Sequence, residues 1–297
     1  MTAAEMTDVA ERAFDGIAFD GIACDVTAAV EMTHLAGRAF DGIAFEYDSL
    51  FTSSLIGRAQ RTAVWRRAAA VFRPEDRVLE LNCGTGEDAL FLARRGISVC
   101  ACDASAGMIA RAEARKATEA PRAPIEFRLL STEDLATLPD GQPFDGVFSN
   151  FSGLNCVEDL SQTARMLAQT VVPGAPLLLC LSTRYCLWEM LHYWLRGDRR
   201  RGFRRCRGTA DVNLGECPLR VYYPTVRTIV SQFSPMFRLR SVTGVGIAVP
   251  PSYMEKWARR NPRLFRICEA IDRVVCRWPG IRILGDHMLL HLEREQR

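Results

Sequence analysis

Val78-Leu-Glu-Leu-Asn-Cys-Gly-Thr-Gly-Glu-Asp88 is a short apolar run broken by a glycine turn, after which helical periodicity begins. The residues before the turn read as a strand, and those from 87 to 95 as a helix that Gly96 ends. Glycines at 84 and 86 allow the backbone to approach a ligand closely, and the helix that follows starts with amide groups that lack intrahelical partners. Residues 97–102 form the next apolar run, closed by Asp103, where a carboxylate is placed to accept hydrogen bonds from two ribose hydroxyls.

Working outward, residues 53–72 carry a helical pattern that Arg73-Pro74 stops. Downstream, helices are predicted over 105–118 and 159–170, and strands over 125–130, 146–149 and 176–181. Strands alternating with helices at this spacing predict an α/β fold, a doubly wound, mostly parallel seven-stranded Rossmann-like sheet whose ligand sits at the carboxyl ends of its strands. Two closing strands are expected at 237–243 and 287–292, with a helical piece over 252–275 between them. Beyond 181 the alternation fails. An aromatic segment (185–195), an arginine run and residues 213–218 predict an inserted cap after the fifth strand. The expected organisation is an extension (1–37), a cofactor-binding core (38–183), the cap (184–220) and a C-terminal completion of the sheet with a helical insertion (221–297).

The extension contains a near repeat, in which Arg12-Ala-Phe-Asp-Gly-Ile-Ala-Phe-Asp20 returns as Arg38-Ala-Phe-Asp-Gly-Ile-Ala-Phe-Glu46. Two copies are too few for a solenoid. The first is expected to be a poorly ordered duplicate and the second to run into the folded domain, so truncation before Thr33 should be tolerated.

Composition narrows the function. A chain of 297 residues with 48% hydrophobic content can bury a sizeable core, and a formal charge of +3 is too small to indicate nucleic acid. No uncharged apolar run reaches membrane-spanning length and the first ten residues lack a signal-peptide pattern, which predicts a cytoplasmic protein with no membrane span. The 11 cysteines are scattered without a CxxC pair and the four histidines do not cluster with them, so no metal site is expected. Seven arginines fall between Arg196 and Arg207, a run that reads either as a solvated face or as a binding surface.

Three motifs in order, Leu79-Glu-Leu-Asn-Cys-Gly-Thr-Gly, Cys102-Asp-Ala-Ser-Ala-Gly-Met-Ile and Phe144-Asp-Gly-Val-Phe-Ser-Asn, resemble the class I S-adenosylmethionine-dependent methyltransferases of the bacterial small-molecule type, over roughly residues 40–181. The resemblance implies S-adenosyl-L-methionine as cofactor, S-adenosyl-L-homocysteine as product and an enzyme of the EC 2.1.1 class. It implies that Glu80 lies near the methionine amino end and that Asn82, Cys83, Gly84 and Gly86 form the turn beside the cofactor. Asp103, followed by Ala104, would hold the ribose, and Met108 would lie against the adenine. Thr132 and Glu133 would meet the adenine amino edge, and Asn150 and Phe151 would border the methionine part and the reacting methyl. Phe40 and Tyr47 match an N-terminal helix that closes over the cofactor. Two positions depart from the pattern. Asn82 replaces the usual first glycine, tolerable because Asn visits left-handed backbone readily, and Ser131 stands where an acidic residue is usual.

The sulfonium is already an activated donor, so no nucleophilic side chain is required; an acceptor oxygen or nitrogen can still need a base. Candidates for that catalytic role are Glu158, His192 and Tyr222, set against a helix cap for Glu158 with Asp159, and packing for His192. The expected acceptor is a small molecule, hydrophobic or anionic, met by the aromatic and arginine-rich cap. Asn150-Phe-Ser-Gly replaces the Asn-Pro-Pro-aromatic motif of base-methylating enzymes, which counts against DNA. Two alternatives stay open. Gly84, Gly86 and Ala89 also satisfy the fingerprint of an NAD(P)-dependent oxidoreductase, and a non-catalytic adenosylmethionine-binding protein would keep the same motifs.

Overall fold

The computed structural model describes residues 36–138, 141–214 and 217–296. The first copy of the repeat and the truncation point at Thr33 lie outside the described residues. The second copy begins in α1 (residues 36–43), which leads through a wide helical turn, Asp48–Thr52, into α2 (Leu55–Val71). Ser54 caps α2 by accepting a hydrogen bond from the Gly57 amide, and the Arg73-Pro74 step prevents its continuation.

Five parallel strands follow: β1 (Arg77–Leu81), β2 (Ser98–Asp103), β3 (Ile125–Leu129), β4 (Gly146–Ser149) and β5 (Pro176–Ser182). Between them lie α3 (Glu87–Ala93), α4 (Ala106–Glu119) and α5 (Leu160–Thr170). Then come α6 (Leu187–Leu195), α7 (Arg199–Gly202), a hairpin of β6 (Thr209–Leu214) and β7 (Cys217–Tyr222), and α8 (Val226–Phe233). The chain closes with β8 (Phe237–Val245), α9 (Glu255–Arg260), α10 (Pro262–Val275) and β9 (His287–Arg294). The main sheet has seven strands in the order β3-β2-β1-β4-β5-β9-β8, with β9 antiparallel to both its neighbours. This is the doubly wound, mostly parallel sheet that the alternation predicts.

Strand alternation places each residue of β1 on one of two faces. Leu79 and Leu81 join a core with Leu160, Leu167 and Phe233, whereas Val78 packs with Val64, Ala68 and Phe72 of α2. Glu80 therefore points to the α2 side. Arg61 is three and seven residues before Val64 and Ala68, so α2 presents it on that same inner face.

Strand register also fixes where the later elements leave the sheet. Ser182 ends β5 opposite His287, and Val245 ends β8 opposite the same His287. The segments 183–225 and 246–286 thus both emerge at the carboxyl end of the parallel strands, the end that carries the glycine turn and Asp103. The chain differs from the sequence reading in detail here. The hairpin runs on to Tyr222, past the predicted boundary at 220, and the helical piece over 252–275 is broken at Asn261, where Pro262 starts α10 afresh.

Candidate functional site

The turn after β1 is held in left-handed backbone at three points: Asn82 (φ 55°), Gly84 (φ 54°) and Gly86 (φ 76°). A side chain on Gly86 would also meet Ala112 Cβ and the Phe127 ring at 2.9 Å, so glycine is required there twice over. Gly153 is equally constrained, since a Cβ would overlap Asn82 Cβ at 2.2 Å. Phe151 (φ 50°) and Ser152 (φ 70°), just past β4, complete a ring of unusual backbone. A bulky residue in this region is strained and persists only where its surroundings hold it. Here the Phe151 amide donates to Asn150 Oδ1 at 3.0 Å and the Ser152 amide donates to the Cys180 carbonyl at 3.1 Å.

These loops enclose a cleft of about 790 Å3, open mouth included, at the carboxyl ends of β1, β2 and β4. Of the residues singled out from sequence, Tyr47, Asn82, Cys83, Gly84, Asp103, Ala104, Met108, Thr132, Glu133, Asn150 and Phe151 line it, as does Phe40. Glu80 and Gly86 lie behind the lining. Asp103 receives the Gly84 amide on Oδ2 (2.8 Å) and the Ser105 amide on Oδ1 (2.9 Å). Burial nonetheless pushes its carboxyl up to about 6, against the pull of those amides. At the Ser131 departure, the Ser131 hydroxyl bonds Asp134 at 2.6 Å, and it is Glu133 that reaches the cleft.

Arg61 and Asp88 also line the cleft, and neither was singled out from sequence. They form a buried ion pair across 27 residues, and Asp88 further accepts from Trp65 Nε1 (2.5 Å) and Asn150 Nδ2 (3.1 Å). The Arg61 guanidinium sits 4.9 Å from the Phe151 ring centre. Burial works most strongly against its charge, but Asp88, by charge and hydrogen bond, together with Tyr47 and Glu80 holds it above its ordinary range. Two atoms of this cluster lack hydrogen-bond partners in the fold, Arg61 Nε and Glu80 Oε2. Burial, and then Asp88, push the Glu80 carboxyl well above its usual range. A buried unpartnered donor beside a buried unpartnered carboxyl oxygen is costly, and the two could hold a ligand bearing both an ammonium and a carboxylate.

The N-terminal elements are fastened across this cleft. Asp41 of α1 accepts from the Ser105 hydroxyl (2.5 Å) and the Gly107 amide (2.7 Å). Asp48 accepts from the Thr85 hydroxyl at 2.7 Å and pairs with Arg115 at 2.5 Å. Burial raises Tyr47 to about 12, so its hydroxyl stays protonated.

On the outer side, the β6–β7 hairpin packs Val212, Leu219 and Val221 against Ala36, Phe40 and Cys156, three residues that line the cleft. Tyr222, the last residue of β7, donates to Glu158 Oε2 at 3.3 Å, and Glu158 follows the cleft residue Val157. The helix cap is Asp159, which accepts from the Ser161 amide. His192 is outside the lining, with its ring 5.1 Å from Tyr193 and 5.3 Å from Tyr253. The arginine run is divided. Buried Glu189 receives Arg204 Nε and Arg205 Nε at 2.8 Å each, and Arg205 continues to Asp286 at 3.0 Å. Gln60 completes Asp286 at 3.3 Å. Arg204 and Arg205 are thereby tied into a buried ion network, unlike either the solvated face or the binding surface that the arginine run suggests.

A sheet in this order, with a glycine turn, an acidic residue ending β2 and a cleft at the strand ends, defines a Rossmann-like fold. Residues 78–174 match the family described as methyltransferase domain. Over 119 residues the chain is 35% identical to a demethylmenaquinone methyltransferase of Mycobacterium marinum, covering 39% of this chain and 47% of that protein. The chain thus spans about half the length of the curated relatives it matches. Among solved structures, phosphoethanolamine N-methyltransferase 2 of Haemonchus contortus in complex with S-adenosyl-L-methionine superposes with a TM-score of 0.54 at 15% identity, over 86% of this chain and 57% of that one. The cyclase SpnF superposes with a TM-score of 0.58 at 14% identity, over 89% and 96%. At these identities the superpositions speak for the fold alone. Together with the domain match they support a class I S-adenosylmethionine-dependent methyltransferase fold, with residues 78–174 as its methyltransferase domain. The match favours the methyltransferase reading of the glycine turn over the nicotinamide one.

Proposed function

We propose that this protein transfers the methyl group of S-adenosyl-L-methionine to a small, largely apolar acceptor. The observation that carries the reading is that Asp103 and Arg61 line one cleft, with the unpartnered Arg61 Nε and Glu80 Oε2 buried behind that lining. Asp103 would take the ribose hydroxyls, Glu80 the ammonium and Arg61 the carboxylate of the methionine end. Gly84 and Gly86, with Asn82 and Cys83, would allow close approach of the turn, and Ala104 and Met108 would flank the adenine. Thr132 and Glu133 would meet its amino edge. When bound, the cofactor supplies an activated methyl, so the protein's task is alignment and exclusion of water. Asn150, Phe151 and Tyr47 border the place where alignment is needed, and α1 with the hairpin would cover it.

Glu158 and Tyr222 are the acceptor-side pair that this arrangement favours. Their mutual hydrogen bond at the outer rim can hold or pass a proton if the acceptor must lose one. His192, between two tyrosines, is assigned to packing. An apolar acceptor is supported by the aliphatic hairpin face and by the internal use of Arg204 and Arg205, and it accords with the quinone named in the Mycobacterium marinum relative. Calorimetric titration with S-adenosyl-L-homocysteine, and separately with nicotinamide dinucleotides, tests the cofactor. Saturable binding of the former alone, followed by methyl transfer from labelled cofactor to quinol-type acceptors, is the expected result; nicotinamide binding alone would overturn it.

A further inference from the structure

Along α10, Leu264, Ile267, Ile271 and Val274 recur at intervals of three and four, and Trp278 continues the series beyond the helix end. All five are exposed, Ile267 by 53%, Val274 by 62% and Trp278 by 51%. This stripe is not the side on which the helix packs. Phe265 joins Ile56, Val249 and Ala258 in a small core, and Asp272 accepts the amides of Ala248 (2.5 Å) and Val249 (3.3 Å). Arg263, Arg266, Arg273 and Arg277 each precede a stripe residue by one, which puts them about 100° round the helix in a parallel basic row. Among the described residues none of these four has a carboxylate within ion-pair distance.

A second stripe lies on α6, where Leu187, Leu191, Trp194 and Leu195 are exposed, Leu195 by 76%, and exposed Arg196, Arg199 and Arg200 follow. The two are joined at their ends. The Arg282 amide bonds the Trp278 carbonyl, and the Leu187 amide bonds the Leu284 carbonyl at 3.0 Å. Apolar stripes bordered by arginines, with tryptophans among them, match the composition of helices that lie in a lipid headgroup region. At 14 residues α10 is about 21 Å long by its rise per residue, too short to cross a bilayer, so it would lie in the plane.

We propose that α10, extended by α6, docks this protein on the surface of an anionic lipid bilayer. Charge selects the occupant. A two-fold pairing with a second copy would bring the same patch against itself, and with it the row of arginines, whereas anionic headgroups would neutralise that row.

The test is vesicle flotation with the full chain, using phosphatidylcholine alone and an equal mixture of phosphatidylcholine and phosphatidylglycerol, at low and high salt. Partition onto the anionic vesicles should exceed that onto neutral ones by at least about tenfold and fall with salt. Ile267→Glu/Ile271→Glu and Arg266→Glu/Arg273→Glu should each reduce it by about tenfold or more. These side chains are exposed, so melting temperature and S-adenosyl-L-homocysteine binding should not change, which separates this inference from the proposed catalytic function. Equal partition onto both vesicle types, no binding by the folded protein, or variants that bind like the parent would overturn it. A dimer seen by light scattering and dissolved by both double variants would assign the face to a second copy instead.

Discussion

Two buried charge clusters adjoin α2, one at Gln60 and one at Arg61, and they are built on opposite principles. In the first, Glu189, Arg204, Arg205 and Asp286, with Gln60, are joined so that every carboxylate oxygen accepts a hydrogen bond. In the cleft, Arg61 and Asp88 are paired, but Arg61 Nε and Glu80 Oε2 are left without partners. The first cluster spends its charge on joining two segments of chain. The second leaves Arg61 and Glu80 incompletely satisfied beside the cleft. Burial of charge alone therefore does not mark a binding site; what distinguishes the second cluster is that its unpartnered atoms adjoin the cleft.

The sharpest way to break this contrast is to remove one partner from each side. Glu189→Ala strands two arginines and should cost about 3–5 kcal/mol of stability, lowering the melting temperature by several degrees or preventing folding. The same substitution should leave the homocysteine affinity of the remaining folded protein unchanged. Asp103→Ala should do the reverse, weakening S-adenosyl-L-homocysteine binding about ten- to a hundredfold through the loss of hydrogen bonds to a charged group, with a smaller effect on melting. Glu80→Gln sharpens the point. Replacing an unpartnered buried carboxyl by a neutral amide should leave the melting temperature equal or higher while affinity drops about tenfold, and a large destabilisation would show that Glu80 is already satisfied in the free protein.

The smallest effect expected is one of pH. Burial holds Asp103 at about 6, above its ordinary 3.8. The ionised form is the better acceptor for the ribose, so affinity should rise as pH climbs through about 6, by less than about tenfold per unit. The sign for stability is opposite. A carboxyl raised on folding favours the folded state most below its ordinary value, and that contribution is lost by about pH 6. Asp103→Asn should flatten both profiles over this window, measured by titration calorimetry and by denaturation at pH 4 to 7.

Most of the sheet was legible because its signals are local. Residues 77–81 and 146–149 form the strands that their apolar runs predict, and the other main-sheet strands differ only at their ends. The β6–β7 hairpin was not legible. Thr209–Leu214 and Cys217–Tyr222 mix polar and apolar residues, because only one of their faces packs, on Ala36 and Phe40 of a helix far away in sequence. The cleft wall contributed by motifs was readable for the same local reason. Arg61 was not, since among the arginines of α2 only its register under Val64 and Ala68 distinguishes it, and its partner Asp88 is defined by the fold. The arginine run taught the converse lesson: a charge-rich stretch looked available until Glu189, a lone acid on an aromatic helix, proved to be its counter-ion.

The meeting of Ser182, Val245 and His287 at one corner of the sheet has a consequence for how such a protein can change over time. The segments 183–225 and 246–286 both leave the sheet at this corner, and Asp286 at the foot of one is bound to Arg205 of the other. Neither can be exchanged alone without abandoning a charge in the interior, so the two must be inherited, shuffled or transplanted as a matched pair. The strands beneath them, holding the cofactor's half of the cleft, are free to stay as they are.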